Sequence, residues 1–109
     1  MITIKDFGKL DLRIGTILKA ELFDKAKNPA YLLEIDLGEL GIKKSSAQIT
    51  DLYQTTDLIG KQIVAIVNLL PKKIAEVTSE VLVLGADNKD QAVILLEPQK
   101  NIPNGAKVS

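Results

Sequence analysis

Cysteine and histidine are both absent from the 109-residue chain. Without cysteine there is no thiol nucleophile and no disulfide framework, and without either residue there is no Cys/His zinc site. The usual imidazole general base is missing as well. Aromatics are scarce: with two Phe, two Tyr and no Trp, only Phe7, Phe23, Tyr31 and Tyr53 could stack on a base. Neither sign of charge is in excess, since 14 Lys and Arg balance 14 Asp and Glu. A global positive field is thereby excluded, and any nucleic-acid binding must come from a local patch. Apolar stretches such as Ile63 to Val67 and Val81 to Leu84 are far too short to span a bilayer. The first residues, Met1 to Gly8, carry charge where a signal peptide needs an apolar core, so a cytoplasmic protein without membrane insertion is expected.

What is present is 46% apolar and 26% charged residues, the balance of a globular chain. The length predicts one domain, residues 1–109, able to bury roughly two-thirds of its unfolded surface. The dominant pattern has period two. Leu12, Ile14, Leu18, Ala20 and Leu22 alternate with Arg13, Lys19 and Glu21, predicting a long strand with one buried face. Gly15 inside it suits a strand that coils sharply. Tyr31, Leu33, Ile35 and Leu37 alternate with Glu34 and Asp36 after the breaker Asn28-Pro29, giving a second strand, and Ile42 to Ser46 gives a weaker third. Thr50 and Asp51 read as a helix start and Gly60 as its end. Gln62 to Val67, Glu80 to Leu84 and Ala92 to Leu96 read as strands buried on both faces. Asp87 to Asp90 is a polar turn joining the last two, Thr3 to Lys9 a short helix, and Pro103-Asn104-Gly105 a turn. The expected fold is all-β: a five-stranded oligonucleotide/oligosaccharide-binding (OB) barrel with a short helix between strands 3 and 4 and extra terminal elements. An SH3-like barrel is the competitor.

Four segments then carry a resemblance. They are Asp11-Leu12-Arg13-Ile14-Gly15-Thr16-Ile17, Lys44-Ser45-Ser46-Ala47-Gln48-Ile49-Thr50, Val67-Asn68-Leu69-Leu70-Pro71-Lys72-Lys73-Ile74-Ala75 and Ser79-Glu80-Val81-Leu82-Val83-Leu84-Gly85. Together they resemble the tRNA-binding OB domain found at the C-terminus of methionyl-tRNA synthetases and in endothelial-monocyte-activating polypeptide II. Within that family the chain is most similar to the stand-alone CsaA branch of export-related, chaperone-like proteins. The resemblance runs from Phe7 to Val108. It implies a homodimeric OB barrel that binds tRNA or similar structured RNA without catalysis, and, for the CsaA branch, unfolded or exported (preprotein) polypeptides. The family's Asn-Leu-x-Pro element falls on Asn68, Leu69 and Pro71, its basic pair on Lys72 and Lys73, and its serine on Ser79. The chain departs from the synthetase domains with Ala75-Glu76 in place of Arg-Gly, and with Ser79-Glu80-Val81-Leu82 in place of Ser-x-Gly-Met. The lost Arg and the gained Glu both subtract positive potential.

The RNA reading requires a lysine-and-amide face. Lys43, Lys44, Lys61, Lys72 and Lys73 would track phosphates, and Ser46, Gln48, Asn68 and Ser79 would hydrogen-bond bases or 2′-hydroxyls. With so few aromatics this is a reader of shape and phosphate. Each residue has a structural alternative: Lys72-Lys73 as a solvated turn after Pro71, Asn68 as a satisfier of nearby backbone groups, Arg13 as an ion-pair partner of Asp11. The polypeptide alternative requires exposed apolar groups, with Leu69 and Leu70 in a loop and Phe23 and Tyr31 beside another, lining a groove. The segment Ile2, Ile4, Phe7 and Leu10 has the spacing to pack on a second copy. An enzyme is not expected. Pairs such as Asp36 and Glu39 lack an orienting third group, no Gly-rich phosphate loop follows a strand, and no cofactor or metal is called for.

Overall fold

The computed structural model describes residues 1–25 and 27–109. The chain opens with α1 (Ile4–Phe7). Thr3 starts it with a capping box: the Asp6 N–H donates to Thr3 Oγ1 at 3.3 Å and the Thr3 N–H donates to the Asp6 carboxylate at 3.0 Å. Hydrogen bonding from Thr3 holds the Asp6 carboxyl below the usual aspartate range. The helix stops at Phe7, two residues short of the expected Lys9.

There follow β1 (Leu12–Phe23), β2 (Ala30–Asp36), a 3-10 turn at Gly38–Leu40, β3 (Ile42–Ala47), α2 (Thr55–Leu58) and β4 (Gln62–Ile66). Then come β5 (Lys72–Ile74), β6 (Val77–Ser79), β7 (Leu82–Val83), β8 (Gly85–Asp87), β9 (Val93–Leu95) and β10 (Lys107–Val108). The main sheet runs β3-β2-β1-β4-β7, with β10 added beside β1. All its pairings are antiparallel. Five strands in a curled sheet, a short helix between the third and fourth, and extra elements at the termini make the OB arrangement that the pattern predicts.

β1 is long because it serves two neighbours: Leu12 to Thr16 pair with β4 and Thr16 to Phe23 with β2. Its register shifts between Ile17 and Lys19. This corrects the sequence expectation of a single buried face. Ile17 is fully buried in the central cluster, whereas Leu18 and Leu22 are 44% and 60% exposed. An extra residue at a bulge moves every later side chain to the opposite face, and periodicity alone does not reveal it. Leu12 and Ile14 are also buried, but opposite Ile66 and Val64 and outside the central cluster, so β1 contributes to both sides of the sheet. Gly15 permits the tight curl. A Cβ there would lie 2.6 Å from Ile35 Cγ2 and 2.7 Å from Leu37 Cδ2.

Tyr31, Leu33, Ile35 and Leu37 all point inward as their alternation predicts, packing with Ile49, Leu58, Ile63, Ala65, Val81 and Leu95. Two other expectations fail. The helix begins at Thr55, not near Thr50; the Gln54 N–H donates to the Asp57 carboxylate at 2.9 Å, and residues 50–52 form a turn. The apolar runs around β7 and β9 are not buried on both faces, since Leu82, Ile94 and Leu96 are exposed. β7 is the last strand of the curled main sheet and β9 pairs with β8 in a two-stranded sheet of its own, so neither is sandwiched between helices.

The C-terminal residues form a strap across β1 and β4. The Gln62 side chain brackets Ile102, donating to its carbonyl at 2.6 Å and accepting from its N–H at 3.2 Å. Pro103 to Ala106 make the expected turn, closed by the Ala106 N–H donating to the Pro103 carbonyl at 3.2 Å, with Gly105 at φ +90°. Arg13 is structural here, donating to Asp11 at 2.6 Å and to the Gly105 carbonyl at 3.0 Å.

Candidate binding cleft

The barrel closes between β3 and the chain leading from β6 into β7, and side chains do much of the closing. The Glu80 N–H donates to the Lys44 carbonyl at 2.8 Å, while the Lys44 N–H donates to the Glu80 carboxylate at 3.0 Å. Two residues along, the Ser46 N–H donates to Ser79 Oγ at 3.0 Å. The Lys44 and Ser46 N–H groups would otherwise be open edge donors of β3. Beside the seam projects a hairpin in which Lys72 pairs with Ser79, Lys73 with Thr78 and Ile74 with Val77. Its two-residue tip is Ala75-Glu76, with Ala75 at φ +53°. The sequence reading assigned no strands here and missed this hairpin, because its tip lacks the Gly or Asn that signals such turns.

Between the seam, the hairpin and β9 lies a cleft of about 470 Å³. Its floor is apolar, built from Ile49, Val81, Val83, Val93 and Leu95, and its wall includes Ile74. Six residues singled out in the sequence stand around it: Ser46, Gln48, Leu69, Leu70, Lys72 and Ser79. Four residues expected for RNA, Ser46, Gln48, Lys72 and Ser79, and two expected for polypeptide, Leu69 and Leu70, thus line one cleft. Leu70 is 94% exposed. The floor residues were not singled out in the sequence: Val81, Val83, Val93 and Leu95 fell in apolar runs read as buried strands, and Ile49 stood only within a segment of the family resemblance.

The other expected residues divide. Lys44 lies on the seam and Lys43 is its neighbour on β3; Lys73 is exposed on β5. Among the described residues, Lys43, Lys44, Lys72 and Lys73 have no carboxylate within ion-pair distance, whereas Lys61 faces Glu97 at 3.4 Å. Lys61 also precedes β4, while the cleft lies beyond the other end of that strand, so it does not join the cluster. Asn68 is committed internally: its Oδ1 accepts from the Asp11 N–H at 2.9 Å and its Nδ2 donates to the Lys9 carbonyl at 2.8 Å. Ser79 is likewise engaged, at the seam. Phe23 and Tyr31 are only 7% and 8% exposed, so neither offers apolar surface to a polypeptide. The Tyr31 hydroxyl donates to the Tyr53 carbonyl at 2.7 Å, and the Tyr53 hydroxyl accepts from the Leu95 N–H at 3.0 Å. Both tyrosines therefore serve the fold instead of stacking.

Glu80 supplies an acceptor to the seam and a negative charge to the lysine cluster, and these roles are separable. Glu80→Gln keeps an oxygen for the Lys44 N–H while removing the charge. The expected result is a melting temperature within a few degrees of the parent and affinity for a labelled polyanion raised severalfold at low salt, read by fluorescence anisotropy. Unchanged affinity would mean that Glu80 lies outside the field a polyanion feels.

An antiparallel barrel with a largely apolar cleft at its seam, bordered by Lys72 and Glu80, defines a small OB-type binding module. The sequence matches the family described as "Putative tRNA binding domain" over residues 12–107. The chain belongs to this tRNA-binding-domain family. It is similar to the solved CsaA chaperone of Bacillus anthracis, with 56% identity, a TM-score of 0.95, and coverage of 100% of this chain and 99% of that one. The CsaA chaperone protein of Picrophilus torridus has 48% identity and a TM-score of 0.94 over 100% of both chains. The methionine–tRNA ligase of Methanococcoides burtonii is 42% identical over 106 residues, covering 96% of this chain but 15% of that protein. The chain therefore corresponds to a small part of such ligases. Among the described residues no helix is long and apolar enough to cross a membrane, and no cluster of three His, Cys, Asp or Glu side chains could hold a metal ion.

Proposed function

We propose that residues 1–109 act as one non-catalytic, cytoplasmic binding domain for tRNA-like structured RNA. The observation that carries this reading is the group of unneutralised lysines, Lys43, Lys44, Lys72 and Lys73, on the two elements that meet at the seam. Their charge would follow a phosphate backbone, with Ser46 and Gln48 lining the cleft beside Lys72 for hydrogen bonds to 2′-hydroxyls or base edges. Membership of the tRNA-binding family supports it. Homodimerisation is part of the reading: Ile2, Ile4 and Leu10 near the N-terminus are exposed, as are Leu82 and Leu96, and a second copy would cover such groups. Labelled tRNA titrated with the protein across a salt series tests the proposal. Saturable binding that weakens steeply with salt supports it; no binding at low salt refutes it.

A second reading is favoured by the apolar floor and the exposed Leu70: the same cleft would hold an apolar segment of an unfolded or exported polypeptide. The similarity to CsaA chaperones supports it. Leu69→Ser combined with Leu70→Ser should spare RNA affinity and at least halve the protein's suppression of aggregation of a chemically unfolded client. Unimpaired suppression would exclude the cleft from that role.

A further inference from the structure

Asn104-Gly105 is the one Asn-Gly dipeptide in the sequence. A glycine after asparagine leaves the following backbone nitrogen unhindered, and that nitrogen is within reach of the asparagine's own side-chain amide. We propose that Asn104 is a folding-gated modification site, at which spontaneous deamidation occurs only when the C-terminal strap has detached. In this step the Gly105 nitrogen, having given up its proton, forms a bond to Asn104 Cγ. The Cγ–Nδ2 bond breaks, and ammonia leaves with the proton restored. Water then opens the resulting five-membered imide. Water adding at Cγ cleaves the Cγ–N bond and leaves aspartate, whereas water adding at the main-chain carbonyl carbon cleaves that carbon's bond to nitrogen and leaves isoaspartate. Water is the only co-reactant.

In the folded chain both reacting groups are engaged in hydrogen bonds. The Gly105 N–H donates to the Ile14 carbonyl at 2.7 Å, which keeps its proton in place and directs the nitrogen toward β1. Asn104 Oδ1 accepts from the Thr16 hydroxyl at 2.7 Å and from Gln62 Nε2 at 3.2 Å, which fixes the side-chain amide. The backbone carbonyl of Asn104 packs directly on Gly38, so the peptide cannot swing without lifting the strap. Ring closure requires these contacts to break, and in the detached strap none of them remains. The two products have different consequences. Aspartate preserves the backbone and an accepting oxygen for Thr16 and Gln62. Isoaspartate inserts one carbon into the main chain between the anchor at Ile102 and the anchor at Gly105, so the strap no longer fits its register against Ile14. Opening the strap would then become irreversible.

The test is peptide mapping by mass spectrometry after incubating the intact chain at mildly alkaline pH, in buffer and in concentrated urea. Conversion at Asn104 should be at least about tenfold slower in buffer. Gln62→Ala, which releases Ile102 and one contact to Asn104, should raise the rate in buffer severalfold and leave the rate in urea unchanged. If Gln62→Ala fails to fold, Thr16→Val removes a single hydrogen bond and should give a smaller rise of the same kind. Equal rates in buffer and urea would overturn the proposal. So would faster conversion at another asparagine in urea, or variants whose rates in buffer match the parent.

Discussion

Reversing Lys72 and Lys73 together, Lys72→Glu with Lys73→Glu, should lower tRNA affinity by about tenfold or more near physiological salt and reduce the slope of log K against log salt by about 2. The expectation rests on their position. Both lie on β5 of the hairpin beside the seam, neither has an acidic partner within ion-pair distance, and Glu76 at the tip is engaged with Lys25 at 3.9 Å. Their side chains are exposed, so the substitutions should leave the melting temperature nearly unchanged. A matching reversal at Lys61 should do much less, because Lys61 is paired with Glu97 and lies away from the cleft. Unaltered affinity and slope in the double variant, or equal losses at Lys61, would remove the cleft from the RNA interface.

The largest expected loss of stability comes from Gly38→Ala. Gly38 has φ +67°, and the space a Cβ would occupy is filled by the backbone carbonyl of Asn104. A left-handed conformation in a residue other than glycine costs about 1–2 kcal/mol, and overpacking against an atom that cannot rotate away adds about 1–3 kcal/mol. A total near 3 kcal/mol corresponds to a fall in melting temperature of roughly 10–20 °C for a chain of this size. The strap should lift first. Amide exchange at Ile14, Gly105 and Ala106 would accelerate before that of Leu33 or Ile35, since the former depend on strap hydrogen bonds. An unshifted melting curve would contradict the close backbone contact.

The barrel was legible where one face of a strand is buried along its whole length. Tyr31 to Leu37 alternate without interruption, and the structure follows them residue by residue. β1 was legible as a strand but not in its facing, because the bulge after Ile17 is set by pairing with β2, which a local pattern does not encode. The helix start was misplaced because Thr50-Asp51 has the composition of a cap, while the hydrogen bonds form at Gln54 and Asp57. Leu82, Ile94 and Leu96 looked like interior residues since composition cannot distinguish a core face from an exposed apolar one. For the cleft, the local polar and basic residues could be named from sequence. Whether each was free could not: the commitments of Asn68 to Lys9 and Asp11, and of Ser79 to Ser46, join positions far apart in the chain.

A seam made of ordinary strand pairing uses groups that every residue carries, so it is nearly indifferent to mutation. Here part of the closure passes through a serine hydroxyl and a glutamate carboxylate, at Ser79 and Glu80. Two adjacent codons thus set how firmly the barrel's edge is held and how wide the neighbouring cleft stands. Selection could retune the ligand preference of this module there, without altering the strands that build it.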